Sequence, residues 1–163
     1  MGMGINMTHK QPPIDLEQYM HEPAIVCDID DTIVMEPDYK PIWNVIEFLK
    51  NQAQTTKIIL LTARLESERE FTVKQMRDLG IPYTEIIMEK FIDVNHGGRA
   101  TNPHGIWKAE QVRQIMNKYN VVLFIDNSKP ARKSVQTLNV RTKKPENIQN
   151  NILTKTVWSG IFI

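Results

Sequence analysis

The run Ala24-Ile25-Val26-Cys27-Asp28-Ile29-Asp30-Asp31-Thr32-Ile33-Val34 constrains this chain more than any other stretch. An apolar, β-branched segment bounded upstream by Pro23 ends in three carboxylates and a hydroxyl. Its length and composition predict a buried strand over Ala24 to Ile29. Side chains two apart on a strand share a face, so Asp28 and Asp30 are expected at one site and Ile29 in the core. Unpaired buried carboxylates are costly, so such a cluster implies a cation or a solvated strand end. Taken alone, the stretch also fits a strand running into an acidic turn.

With 163 residues, 41% hydrophobic and 24% charged, the chain suits one compact domain with a real core. A net charge of +1 gives no global reason to expect nucleic acid or membrane binding. Locally, six basic residues (Lys129, Arg132, Lys133, Arg141, Lys143, Lys144) lie between Asn127 and Lys144 without an acidic one. Such a run is either a solvated face or an attractor for a polyanion. Cys27 is the only cysteine and lies inside the apolar run, so it reads as a buried structural thiol. No apolar segment reaches membrane-spanning length and the N-terminus lacks a signal-peptide layout, so the expected setting is cytoplasmic.

Residues 1–23 read as a polar extension, partly flexible, with a short helix over Ile14 to Met20. A short connection from Asp31 to Lys40 leads to a helix whose first turn holds Pro41. Lys57 to Leu61 predicts a second strand ending on Thr62. Glu66 to Leu79 predicts a helix with Phe71, Val73, Met76 and Leu79 as its apolar positions, stopped by Gly80. Ile86 to Met88 marks a third strand, and Lys90 to His104 a long loop. A helix is expected from about Gly105 to Tyr119, a fourth strand over Val121 to Ile125, a helix from Pro130 to Leu138 and a short strand over Val140 to Thr142. Residues 143–163 are expected as a tail docked on the domain. Strands alternating with helices argue an α/β, doubly wound, Rossmann-like parallel sheet of about five strands, helices on both faces, without a substantial cap domain.

Open sheets of this kind place their sites at the carboxyl ends of the strands. There the separate signals agree: Asp28, Asp30 and Thr32 follow strand one, Thr62 and Arg64 strand two, Asp126 and Asn127 strand four, and Lys108 opens a helix. Carboxylates from different strands plus backbone carbonyls suit Mg²⁺, whereas His9, His21, His96 and His104 are too scattered for a zinc site. A magnesium ion beside a lysine, a threonine hydroxyl and an arginine makes a pocket for a phosphoryl group.

In order, Asp28-Ile29-Asp30-Asp31-Thr32, Thr62, Lys108 and Asp126 resemble the four motifs of the haloacid dehalogenase-like phosphatases, over about Ala24 to Thr142. That resemblance implies Asp28 as the phosphorylated nucleophile and Asp30 as general acid and base. It implies Mg²⁺ held by Asp28, the Asp30 carbonyl and Asp126, and phosphoryl oxygens held by Thr62 and Lys108. Asn127 stands where many members carry a second aspartate, and its amide oxygen can still face the metal. Thr32, Arg64, Lys90 and Arg99 are the candidate substrate contacts.

Neither cap insertion point has room for a folded cap, which implies an open site suited to a bulky or polymeric phosphate ester. Within the family the chain is most similar to the 3′-phosphatase domain of phage-type polynucleotide kinases, through Leu61-Thr62-Ala63-Arg64, Trp107-Lys108-Ala109-Glu110 and Phe124-Ile125-Asp126-Asn127. A kinase phosphate loop is absent from the sequence. The expected partner is a phosphate ester, in this reading a nucleic acid 3′ end, with no membrane. Two alternatives stay open: a nucleotide or small-metabolite phosphatase, and a catalytically silent module that binds phosphate or nucleic acid.

Overall fold

The structure, a computed structural model, describes residues 20–90 and 103–149. Five parallel strands form one sheet: β1 (Pro23–Cys27), β4 (Lys57–Leu65), β5 (Glu85–Glu89), β6 (Asn120–Ile125) and β7 (Thr142–Lys143). Their spatial order is β5-β4-β1-β6-β7, so the chain winds outward in one direction from β1 and then returns to wind in the other. The crevice between β1 and β6 is therefore the point at which a doubly wound sheet places its ligand.

Alternation along each strand divides the core. Ile25, Ile58 and Leu60 face one layer with Val45, Leu49 and Met76, contributed by helices α1 (Trp43–Gln52) and α2 (Arg69–Asp78). Val26, Ile59 and Phe124 face the other with Val112, Ala131 and Val135, from α3 (Pro103–Ile115) and α4 (Lys129–Gln136). A sheet covered on both faces explains why these strands are nearly continuous in apolar residues. Cys27 is fully buried, and burial pushes its thiol pKa well up, so it packs as a small apolar side chain.

Several boundaries differ from the sequence reading. β1 stops at Cys27, so Asp28 and Ile29 lie beyond the strand, where the Ile33 and Val34 N–H groups donate to the Ile29 carbonyl in a single turn. Pro41 does not open a helix. It belongs to a hairpin of β2 (Val34–Met35) and β3 (Lys40–Pro41), and α1 starts at Trp43. β4 continues past Thr62 to Leu65, with an irregularity in its pairing to β5 between those two residues. A short 3₁₀ turn (Glu66–Glu68) precedes α2, and Phe71 on that helix is exposed rather than buried.

α2 ends as its glycine predicts. Gly80 adopts φ +71°, its N–H donates to the Arg77 carbonyl, and the Ile81 N–H reaches back to Met76. This 6→1 and 5→2 pair is a Schellman closure, with buried Ile81 and Met76 in one apolar cluster. α3 begins at Pro103 and ends at Ile115, short of Tyr119, and α4 begins one residue before Pro130 and ends at Gln136. The last strand is Thr142–Lys143 rather than Val140 to Thr142. After it, Pro145 and Ile148 are buried, and the Asn44 side chain donates to both their carbonyls. The helix expected over Ile14 to Met20, His9, most of the Lys90 to His104 loop and the apolar C-terminus lie outside the described residues. No helix among the described residues is long and apolar enough to cross a membrane.

Candidate active site

Parallel pairing of β1 with both β4 and β6 brings three strand ends to one rim. The Asp28 N–H donates to the Ile125 carbonyl at 2.9 Å, which sets Asp28 beside Asp126. Both carboxylates are buried, and Lys108 reaches between them from α3. Its Nζ donates to Asp28 Oδ1 at 2.8 Å and to Asp126 Oδ2 at 2.7 Å. Two carboxylates and one ammonium leave this cluster with a single net negative charge in a place with little water.

That imbalance governs the protonation of the site. Burial pushes the Asp28 pKa from 3.8 up to about 7; Lys108 opposes the rise and Asp126 adds to it. For Lys108, burial pulls its pKa down, but the two carboxylates outweigh burial and leave it raised. A proton or a cation has to complete the charge balance.

The other oxygens of the pair point toward Asn127. One terminal atom of its side-chain amide lies 3.1 Å from Asp28 Oδ2, 3.2 Å from Asp126 Oδ1 and 3.3 Å from the Asp30 carbonyl. An NH₂ group there has two hydrogens to offer three acceptors. With the amide oxygen there instead, four oxygens converge with no proton between them. Oxygens about 2.1 Å from an octahedral Mg²⁺ are about 3 Å apart along an edge, so the donor set fits that ion. Among the described residues no group of three or more His, Cys, Asp or Glu side chains is arranged to hold a metal ion by itself. The set consists of two carboxylates, a backbone carbonyl and an amide, which is hard-cation chemistry.

Thr32 is fully buried and does not face the open mouth of the cleft. Its hydroxyl donates to Asp28 Oδ2 at 3.0 Å and accepts the Asn127 N–H at 3.1 Å, which ties the two strand ends together. The Ser128 N–H donates to Asp126 Oδ1, and the Ser128 hydroxyl caps α4 at Ala131. Arg132 donates to the Asp126 carbonyl at 2.8 Å, so this member of the basic run supports the site directly. Thr62 is buried, with its hydroxyl accepting the Arg64 N–H, and it lines the cleft.

Arg64 is placed by the irregular end of β4, as bulges commonly re-aim a side chain. Its guanidinium is buried and grips the Asp30 carboxylate with two bonds, 2.9 Å from Nε and 2.7 Å from Nη2, while Nη1 donates to buried Thr72. Burial lowers the Arg64 pKa, but Asp30 outweighs burial and leaves it raised. Asp28 and Asp30 thus share the cleft but not a partner, Lys108 serving one and Arg64 the other.

The cleft has a volume of about 420 Å³. Asp28, Asp30, Thr62, Arg64, Lys108, Asp126 and Asn127 all line it. So do Asp31, Glu36, Tyr39 and Glu68, which the sequence reading did not select. Asp31 adopts φ +58°, and its carboxylate accepts the Glu36 N–H, anchoring the hairpin. The Asp30 carboxylate nearby raises the Glu36 pKa. His104 lines the cleft and pairs with Glu89 at 3.3 Å. Lys90 is exposed and is not part of this lining; Arg99 and His96 lie outside the described residues. Ser128-Lys129-Pro130 was readable as a helix cap, but nothing in the sequence placed Tyr39 or Thr72.

No protein-family model matches the sequence, and no curated protein matches it. Among the solved structures similar to this chain are two complexes. A chain of a Pnkp1/Rnl/Hen1 complex is 22% identical over 77% of this chain, with a TM-score of 0.63. A chain of the Pnkp1/Rnl/Hen1 RNA repair complex is 21% identical over 85% of this chain, with a TM-score of 0.65. This chain spans 46% of each of those chains. Identity at that level shows a shared fold alone, which agrees with the doubly wound parallel sheet expected from the sequence.

Proposed function

We propose that this chain is a Mg²⁺-dependent phosphatase that hydrolyses a phosphate monoester through an aspartyl-phosphate on Asp28, with a polynucleotide 3′-phosphate as its substrate. The observation that carries the reading is the buried Asp28–Lys108–Asp126 cluster, whose remaining oxygens converge with the Asp30 carbonyl and the Asn127 amide at the mouth of the strand crevice. Bound there, Mg²⁺ would reverse the sign of the net charge and so draw a phosphate dianion to Asp28.

Asp28 attacks phosphorus as the bond to the alcohol oxygen breaks, leaving the phosphoryl group on its carboxylate. Lys108 and Thr62, which both line the cleft, would hold the non-bridging oxygens. Asp30 gives its proton to the departing alkoxide and later takes one from the water that attacks the acyl phosphate. The bidentate Arg64 contact engages both Asp30 carboxylate oxygens, so proton delivery requires that carboxyl to part from at least one guanidinium bond.

Nucleic acid is supported by three features. Among the described residues, the connection between β1 and α1 holds only a hairpin of two-residue strands. α4 carries Lys129, Arg132 and Lys133 beside the cleft residue Ser128. A chain of like fold belongs to an RNA repair complex. One observation favours a silent phosphate-binding module instead, namely the Arg64 clamp on Asp30.

The test is phosphate release, with Mg²⁺ and with a chelator, from 3′-phosphorylated oligonucleotides, mononucleotides and sugar phosphates. The proposal expects Mg²⁺-dependent release, fastest from the oligonucleotide, and none from Asp28→Asn. Preference for a mononucleotide or sugar phosphate moves the substrate to that class. Silence across the panel, with binding retained, leaves the module.

A further inference from the structure

A second cleft adjoins the catalytic one. It has a volume of about 260 Å³ and is lined by Val34, Tyr39, Phe71, Gln75, Leu79 and the stems of Lys74 and Asp78. Tyr39 lines both clefts. The Tyr39 and Phe71 rings are 5.6 Å apart at 56°, and each lies 5.6 Å from the Arg64 guanidinium. Arg64 therefore covers one side of each ring, yet Tyr39 remains 40% and Phe71 48% exposed. Tyr39 holds φ +58°, a conformation disfavoured for a bulky residue and cheap only for glycine or asparagine. Beside the rings, the Gln75 Oε1 atom is buried with no hydrogen-bond partner among the described residues.

We infer that this cleft takes the base of the nucleoside bearing the scissile phosphate, stacked on the part-exposed ring of Tyr39 or Phe71. The inference rests on the phosphatase reading above and names the part of the substrate that the site grips. Asp30 protonates the leaving oxygen, and Arg64, which holds Asp30, touches both rings, so the nucleoside departs along the Tyr39 wall. That wall also carries Asp31, Glu36 and Glu68, which repel a second phosphate there. An uncharged aromatic group is the chemistry that meets an acidic rim and two part-exposed rings.

The test measures binding, so it does not depend on turnover. Full-length Asp28→Asn protein in Mg²⁺ is titrated with a 3′-phosphorylated oligonucleotide ending in adenosine, and with the same strand whose last residue is abasic. Base stacking on an aromatic platform predicts binding about tenfold tighter for the adenosine end. Adding Tyr39→Ala and Phe71→Ala should reduce that margin to about twofold or less, and Tyr39→Trp with native Phe71 should keep it. Both rings are surface-exposed, and Phe71→Leu, which keeps the apolar bulk, should also shrink the margin. Equal or absent binding of the two ends, or a margin that survives the double substitution, overturns the inference. A clear margin in a protein that releases no phosphate would sustain the base site and reject the catalytic reading, so the two fail separately.

Discussion

Lys108 lies between two buried carboxylates, and its removal would leave both unpaired. Lys108→Met is therefore expected to cost about 3–5 kcal/mol in metal-free protein near neutral pH. Denaturant unfolding measures this, and Mg²⁺ or acidification should recover part of it. The Asp28 carboxyl makes a related prediction. Its pKa is pushed up to about 7 in the fold, so the folded state holds that proton more tightly than the unfolded chain does. This contribution is fully present below the unfolded pKa and is lost as pH rises toward 7. Metal-free protein should lose thermal stability from about pH 5 to pH 7.5, and Mg²⁺ should stabilise more at the upper end. Equal stabilisation by Mg²⁺ at both ends would remove Asp28 from the cation site. Asp30→Asn, which deletes the proposed proton donor, should slow turnover about 10²- to 10⁴-fold, measured as kcat on a poor leaving group. An unchanged rate would reject that role for Asp30.

Elements set which residues can meet. Strand positions, the glycine stop at Gly80 and the order of sheet and helix could be read directly, because burial on both faces forces continuous apolar strands. The ends of those strands could not. β4 overruns Thr62, and the irregularity that follows sends Arg64 across to Asp30, a partner 34 residues away that periodicity does not signal. Phe71 fitted the apolar stripe of α2, yet it is exposed, with Tyr39 of the hairpin beside it. Thr32 looked like a substrate contact by its position after the strand, whereas burial gives it to Asp28 and Asn127. Gly80→Ala tests one element alone. At φ +71° an added Cβ meets only the flexible end of Lys50, so the cost is conformational. A loss of about 1–2 kcal/mol is expected, read from denaturant unfolding.

At the scale of the whole molecule, the doubly wound order brings β1 and β6 together at the crevice, and charge then differs on its two sides. α4 supplies Lys129 and Lys133, while the hairpin side supplies Asp31, Glu36 and Glu68. A strand held by its phosphates on the α4 side should bind with a salt dependence that Lys129→Gln with Lys133→Gln flattens by about 1.4 units of log–log slope. An unchanged slope would make α4 a solvated face.

The central claim is that Asp28 carries the phosphoryl group. Rapid acid quench of the protein turning over a 3′-phosphorylated oligonucleotide in Mg²⁺, followed by borohydride reduction and peptide mass spectrometry, reads it directly. Conversion of Asp28 alone to homoserine, as hydride displaces the phosphate, absent from Asp28→Asn and abolished by chelation, is the predicted result. Phosphate release with no reduction at Asp28, or with reduction at another residue, would contradict it.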